Sequence, residues 1–270
     1  MSIGPIKEFY RAHVPTLLQD VIRKVVIQPA LTMEMVIDRE VHRHFPEGAE
    51  PHIQALLRQM LKPGDTFVDV GANFGALSSA AARLVAPGGT VICFEPVPAN
   101  FSRLTGLLEA TSTGHLKTVL DPRAVGAETG PVEIHLNFWD GLHTIDPDVN
   151  AGSRTGSLLV QQVTLDDALR QHGVTRVDLL KIDVEGAELR VLRGAHELLR
   201  SGRIAAVVLE VCNPEEPGKA DNARQIAALL QDAGFTAQRV GTDGLSPWNW
   251  RECVRREDVL FTRSASVSHS

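Results

Sequence analysis

The chain has 270 residues, a formal net charge of −6, 43% apolar residues and 22% charged residues. That length can bury a full core as one large domain or two small ones, and the composition is that of an ordinary globular protein. The acidic balance speaks against a polyanionic partner. No secretory segment opens the chain and no apolar run approaches the ~20 residues of a membrane helix. Cys93, Cys212 and Cys253 are odd in number and lack metal-ligand spacing. They read as buried thiols in a reducing compartment, the cytoplasm, while the acidic balance and the lack of a long apolar run point to no nucleic-acid and no membrane partner.

In chain order, residues 5–27 carry Ile6, Phe9, Val14, Leu17, Leu18, Val21, Ile22 and Val25 at helical spacing. Pro15 divides them into two helices. Residues 1–50 read as a helical extension packed on the main domain, with a homodimer contact or a lid as the sharper alternatives. Lys7, Arg11, Arg23 and Lys24 are offset by Glu8 and Asp20, which disfavours a membrane-surface helix. A helix or hairpin over Leu31 to Phe45 and a helix from Pro51 to Leu61 follow. The turn Lys62 to Asp65 then feeds the first strand of the main domain, 51–263.

The stretch Phe67-Val-Asp69-Val-Gly71-Ala-Asn73-Phe-Gly75 organises that domain. An apolar run ends in an acid, then a glycine turn opens the helical run Ala76 to Val85. This is a buried parallel strand delivering its end to a crevice, with a helix N-terminus beneath. A dinucleotide fold would want a second glycine where Ala72-Asn73 stands, and a phosphate-binding loop would want Gly-Lys-Ser/Thr. What remains resembles motif I of class I S-adenosylmethionine-dependent methyltransferases, whose ligand carries no phosphate and calls for carboxylates. A second buried strand, Thr90 to Glu95, ends in the next acid. Glu95 lies 24 residues past Gly71 in the sequence, close to the spacing at which an acid takes ribose hydroxyls.

A helix from Pro96 to about Ala110 and a strand from Leu116 to Leu120 lead to Asp121-Pro-Arg123-Ala124. In a doubly wound sheet this loop lines the adenine edge, and a solvated loop charge is the equal alternative for Arg123. Pro131 to Asn137 alternates like an edge strand, with Ser157 to Val163 as its hairpin partner. The long aromatic and polar loop between them, Phe138 to Gly156, contains Trp139 and His143 and reads as an acceptor-side loop. Thr164-Leu-Asp-Asp167 caps a helix to about His172. The strand Val177 to Asp183 ends in a cluster with Glu185 and Glu188, and Ile204 to Asn213 presents Glu210 in the same way. Helix Ala220 to Ala233, strand Phe235 to Val240, a turn-rich Gly244 to Trp250 and strand Asp258 to Arg263 complete the domain. Residues 264–270 read as a disordered tail.

Asp69-Val-Gly-Ala-Asn-Phe-Gly75, Phe94-Glu95-Pro96-x-Pro98-x-Asn100, Thr164-Leu-Asp-Asp167, Leu180-Lys-Ile-Asp-Val-Glu-Gly-Ala-Glu188, Val191-Leu-Arg-Gly-Ala195 and Leu209-Glu-Val211 together resemble the FkbM family of methyltransferases. The resemblance implies a Rossmann-like, doubly wound α/β fold: a seven-stranded, mostly parallel sheet with helices on both faces. It also implies methyl transfer from S-adenosylmethionine to a hydroxyl of a sugar, polyol or polyketide-type small molecule. Asp69, Gly71, Asn73 and Gly75 would face the methionine end of the cofactor, Glu95 the ribose, and Asp183 the rim where methyl leaves sulfur. Pro96, Asn100, Arg123 and Ala124 complete the expected cofactor set.

An aliphatic hydroxyl needs a general base or a divalent cation to become a nucleophile at neutral pH. Asp183, His143 and Glu210 are the candidate bases. Asp183, Glu185 and Glu210 have the oxygen chemistry of a Mg²⁺ site, and whether they converge stays open. Methylation of a nitrogen or carboxylate, an NAD-binding oxidoreductase and a non-catalytic nucleotide-binding homologue are the rival readings. A nucleic-acid methyltransferase is disfavoured by the acid balance and the lack of a basic stripe.

Overall fold

The computed structural model describes residues 50–111, 115–137, 143–145, 154–211, 222–253 and 256–263. The chain divides into two units, Met1–Ala49 and Glu50–Ser270, and every described residue belongs to the second. The expected helices before residue 50, with the dimer or lid role given to them, and the tail after 263 lie outside the described residues.

Helix α1 (Pro51–Met60) begins with proline at N1, where the missing N–H costs nothing. Strand β1 (Thr66–Val70) and helix α2 (Ala76–Val85) follow. Next come β2 (Thr90–Phe94), α3 (Pro98–Thr111) and β3 (Lys117–Asp121). The short β4 (Ala124–Val125), then β5 (Gly130–Asn137) and β6 (Arg154–Val163), precede α4 (Leu165–Gln171). Strand β7 (Leu179–Ile182) leads into two short helices, α5 (Glu188–Arg193) and α6 (His196–Arg200), and then β8 (Ala206–Val211). Helix α7 (Asn222–Asp232), β9 (Phe235–Gly241), β10 (Gly244–Pro247) and β11 (Glu257–Arg263) end the domain.

The main sheet has the order β10-β9-β11-β8-β7-β1-β2-β3. Strands β3, β2, β1, β7 and β8 run parallel, and β11 inserts antiparallel between β8 and β9. The predicted seven strands are all present. The eighth, β10, falls where the sequence reads as turns: Gly241 and Gly244 close a tight hairpin, and backbone pairing with β9 makes a strand of residues with little β propensity. The predicted hairpin of β5 and β6 exists, and with β4 it forms a separate three-stranded sheet.

Alternation along the strands places the core on both faces. Val68, Val70, Ile92, Phe94, Leu180, Ile182, Leu209 and Phe261 join α4 to α7 in one apolar cluster. Phe67, Val91, Cys93, Leu179, Val208 and Leu260 join α1, α2 and α3 in the other. Because side chains alternate with period two, Asp69, Lys181, Glu210 and Asp258 fall on the α1–α3 face, at the end of the sheet where the parallel strands finish. The chain builds β1 to β3 outward on one side of β1 and then returns to β7 on the other. The carboxyl ends of β1 and β7 are therefore the switch point at which open α/β sheets bind ligands. Cys93 and Cys253 are buried. Among the described residues no helix is long and apolar enough to cross a membrane.

Candidate functional site

Gly71 shapes the floor of the crevice. Its φ is +85°, and a Cβ there would lie 1.9 Å from the backbone oxygen of Asp183. Only glycine lets the β1 turn pass so close to the end of β7. Asp183 N–H in turn donates to Val70 O at 2.9 Å, so the two strand ends are laced together. Gly75 starts α2, and Asn73 sits between them at φ 52°.

Asp69 is 1% exposed. Ser78 Oγ donates to its Oδ2 at 2.5 Å, while its Oδ1 is buried without a hydrogen-bond partner. Burial raises its pKa, opposed by the charge of Lys181 and the Ser78 hydrogen bond. The Lys181 ammonium lies 4.0 Å from Asp69 Oδ1 and donates to Asp183 Oδ2 at 2.9 Å. Burial alone would lower the Lys181 pKa, yet the charges of Asp183, Asp69 and Glu50 hold it above its ordinary range.

Glu95, 5% exposed, follows β2 and accepts the backbone N–H of Asn73 on Oε2 and that of Val97 on Oε1, each at 2.9 Å. Desolvation pushes its pKa up to about 7 against these two hydrogen bonds. Asn73 Oδ1 is buried and has no partner. Asn100 is buried in the first turn of α3. Pro96 and Arg123 both line a cavity of about 410 Å³ together with Pro98, Phe101, Pro122 and Leu158 to Gln161 of β6. Asp121 fixes Arg123 at this wall, accepting from its Nε at 2.8 Å and from NH2 at 2.6 Å. His172 Nε2 also lies 2.8 Å from Asp121 Oδ2. Burial would raise the Asp121 pKa, but hydrogen bonds from Arg123 and His172 hold it below the usual range. Arg123 is thus neither a loose solvated charge nor a side chain open on all its nitrogens. Ala124 is buried in β4, packed with Val97 and Ile134.

The candidate bases and metal ligands are arranged differently from the sequence expectation. Asp183, Glu185 and Glu210 do not converge on a Mg²⁺ site. Asp183 is engaged by Lys181, and Arg256 NH1 bridges Glu185 Oε2 at 2.9 Å and Glu210 Oε2 at 3.2 Å. The chain's own cations provide the compensation that a divalent ion would have supplied. Among the described residues no group of three or more His, Cys, Asp or Glu is set to hold a metal. Glu210 is still pushed up to about 8 by burial, which outweighs Arg256. His143 Nδ1 accepts the backbone N–H of Asn137 at 3.0 Å, which leaves the neutral ring's proton on Nε2. The next residue, Thr144, donates from Oγ1 to the backbone oxygen of Glu185 at 2.7 Å. The long loop is therefore tied to Glu185 at Thr144, while 138–142 and 146–153 lie outside the described residues.

Glu188 is fully buried, and its Oε1 accepts from Gly186 N–H at 2.9 Å and Val184 N–H at 3.3 Å. It folds the Asp183–Gly186 turn from inside, and burial lifts its pKa to about 7.

Three groups escaped the sequence reading. Glu50, at the N-cap of α1, is pushed up to about 7 by burial, with the charges of Lys181, Asp183, Asp258 and Asp69 acting on it. His52 Nε2 lies 2.7 Å from Asp258 Oδ2. Asp258 faces Glu210 across the β8–β11 register, and burial raises its pKa although His52 lowers it. The position of Asp258 at the head of the closing strand was its only signal.

Residues 69–237 match the methyltransferase FkbM domain. Methyltransferase sdnD of Sordaria araneosa is 32% identical over 66% of this chain and 76% of its own length. The 31-O-demethyl-FK506 methyltransferase FkbM of Streptomyces tacrolimicus is 33% identical over 65% of this chain and 74% of its own. Hexuronic acid methyltransferase AglP of Haloferax volcanii is 26% identical over 74% and 75%.

Proposed function

We propose that this chain, which belongs to the FkbM family of methyltransferases, transfers a methyl group from S-adenosylmethionine to a hydroxyl of a small molecule of the sugar, polyol or polyketide type. The observation that carries the reading is the pair of buried acceptors without partners, Asp69 Oδ1 and Asn73 Oδ1, on either side of a turn that only Gly71 allows. Buried acceptors are costly unless a ligand supplies donors or positive charge. S-adenosylmethionine has both, in its ammonium, its ribose hydroxyls and its sulfonium, so the residues present fit it.

Asp69 and Asn73 would hold the amino-acid end, Glu95 the ribose, and Asp183 the rim near sulfur. When bound, the cofactor supplies a methyl group already activated on a sulfonium, leaving as a neutral thioether. The chain's own work is to orient the acceptor oxygen in line with that methyl, exclude water and remove the hydroxyl proton. The names of the relatives support an oxygen acceptor: one acts on a demethyl-FK506 and another on hexuronic acid. The loop of residues 138–156 would choose the acceptor, since Thr144 fastens it to the rim at Glu185.

Calorimetric titration with S-adenosylhomocysteine and with NAD tests the cofactor. Binding of the first alone is expected, and binding of NAD alone would reverse the reading. Turnover of labelled S-adenosylmethionine against a panel of polyols, uronides and macrolactones then tests the acceptor class. An alkali-labile methyl ester as product would assign a carboxylate in place of a hydroxyl.

A further inference from the structure

We infer that His52, held by Asp258, is the base that takes the proton from the acceptor hydroxyl, an assignment that rests on the methyltransferase reading above. Both residues lie outside the family-matched segment 69–237, so this part of the site belongs to the chain's own flanks. His52 stands in the first turn of α1 and Asp258 at the second residue of β11, and the 2.7 Å contact joins helix to sheet. Alternation sets Asp258 on the same sheet face as Asp69, Lys181 and Glu210. The charges of Asp183 and Lys181 act on Asp258, and those of Lys181, Asp183, Asp258 and Asp69 act on Glu50, two residues before His52. Asp258 is the register partner of Glu210, so the pair stands at the same end and on the same face of the sheet as Asp69 and Lys181.

The competing bases already have partners within the chain. Asp183 takes a hydrogen bond from the Lys181 ammonium, Glu210 and Glu185 from the Arg256 guanidinium, and the Nδ1 lone pair of His143 from Asn137 N–H. Each of these carboxylates faces a cation of the chain itself, and Glu210 is nevertheless raised to about 8 by burial. His52 has the opposite arrangement. With Nε2–H donated to Asp258, Nδ1 carries the lone pair, and the carboxylate stabilises the imidazolium that forms. In the step, the acceptor O–H bond breaks with its proton passing to Nδ1. The oxygen pair forms the C–O bond, and the S–C pair stays on sulfur. Asp258 is the positioning residue, and His52 later releases its proton to solvent.

The first test needs no acceptor. The charges of Lys181 and Asp183 act on Asp258, those of Lys181, Asp183, Asp258 and Asp69 act on Glu50 beside His52, and Glu210 is the register partner of Asp258. S-adenosylhomocysteine and S-adenosylmethionine differ by one methyl and one positive charge. NMR titration of labelled histidines, with His52 assigned by the His52→Gln spectrum, should give a midpoint at least about half a pH unit lower with S-adenosylmethionine. Equal midpoints with both ligands bound would overturn the assignment and leave the methyltransferase reading standing. If neither ligand binds, that reading fails and the assignment falls with it.

The second test uses whichever acceptor the panel identifies. His52→Gln keeps an N–H donor for Asp258 but cannot take up the proton. Turnover should fall about 10²- to 10⁴-fold while affinity for S-adenosylhomocysteine holds. Added imidazole should restore part of the rate in His52→Gly, and Asp258→Asn should shift the pH–rate midpoint. Parental turnover in His52→Gln would show that the pair only ties α1 to the sheet.

Discussion

Glu95 accepts the backbone N–H of Asn73 at 2.9 Å, so the acid after β2 braces the glycine turn after β1. Its second oxygen takes Val97 N–H at the entry to α3. One carboxylate thus shapes two loops of the crevice, and each oxygen keeps a lone pair for a ligand. The ribose role proposed for Glu95 would use this orientation, which the chain itself sets.

Glu95→Ala is expected to weaken S-adenosylhomocysteine binding by about 1.5–3 kcal/mol, the range of charge-assisted hydrogen bonds. Calorimetry on a variant with parental circular dichroism is the measurement. An unchanged dissociation constant would leave Glu95 with only its bracing role.

The crevice could be read from the chain because each core strand announces its end. Phe67 to Val70 and Leu179 to Ile182 are buried runs interrupted only by Asp69 and Lys181, and Val91 to Phe94 runs straight into Glu95, as suits parallel strands buried on both faces. The partners of those acids could not be read in the same way. Arg256 meets Glu185 and Glu210 across 71 and 46 residues of chain, and His52 meets Asp258 across 206. No periodicity carries such pairings, so Glu185 and Glu210 looked like ligands for a cation when theirs, Arg256, was merely distant in sequence. Thr164-Leu-Asp-Asp167 shows the reverse: a family motif whose local work is structural. Thr164 caps α4, and Asp166 reaches away to the start of α6.

That cap gives a prediction. Asp166 accepts Glu197 N–H and Leu198 N–H, each at 2.9 Å, satisfying two of the orphan donors of α6. Asp166→Ala should cost about 1–2 kcal/mol of stability in denaturant titration. Cofactor affinity should stay at the parental value. Loss of affinity without loss of stability would place Asp166 in the site instead.

Two glycines separate shape from flexibility. Gly71→Ala would place a methyl 1.9 Å from Asp183 O at a φ of +85°, where the neighbour is backbone and cannot swing aside. A loss of at least about 2 kcal/mol is expected, with S-adenosylhomocysteine binding impaired in whatever fraction folds. Gly106, exposed inside α3, has nothing within 4 Å of an added Cβ. Gly106→Ala should therefore stabilise the fold by about 0.5–1 kcal/mol. Thermal melts of the two variants in parallel check both signs.

Lys181 offers the sharpest pH test. Its buried ammonium is the cation shared by Asp183, Asp69 and Glu50. Held above its ordinary range, it stays charged throughout pH 5–8. Glu50 at about 7 and Asp69, also raised, are both lifted mainly by burial, with Lys181 pulling them down. A carboxylate whose folded pKa is raised contributes stability below its unfolded value, and loses that contribution as pH climbs through the folded value. Removing the lysine removes the opposing pull, so the loss must grow. Lys181→Met, close in shape and uncharged, should be destabilised by about 3–5 kcal/mol at pH 8, the cost of stranding a buried charge. The deficit relative to the parent should shrink as pH falls toward 5, because Asp69 and Glu50 then take up protons. Denaturant midpoints of parent and variant across that range decide it: a deficit independent of pH would mean that Lys181 acts by packing and that the carboxylates around it are compensated by other groups.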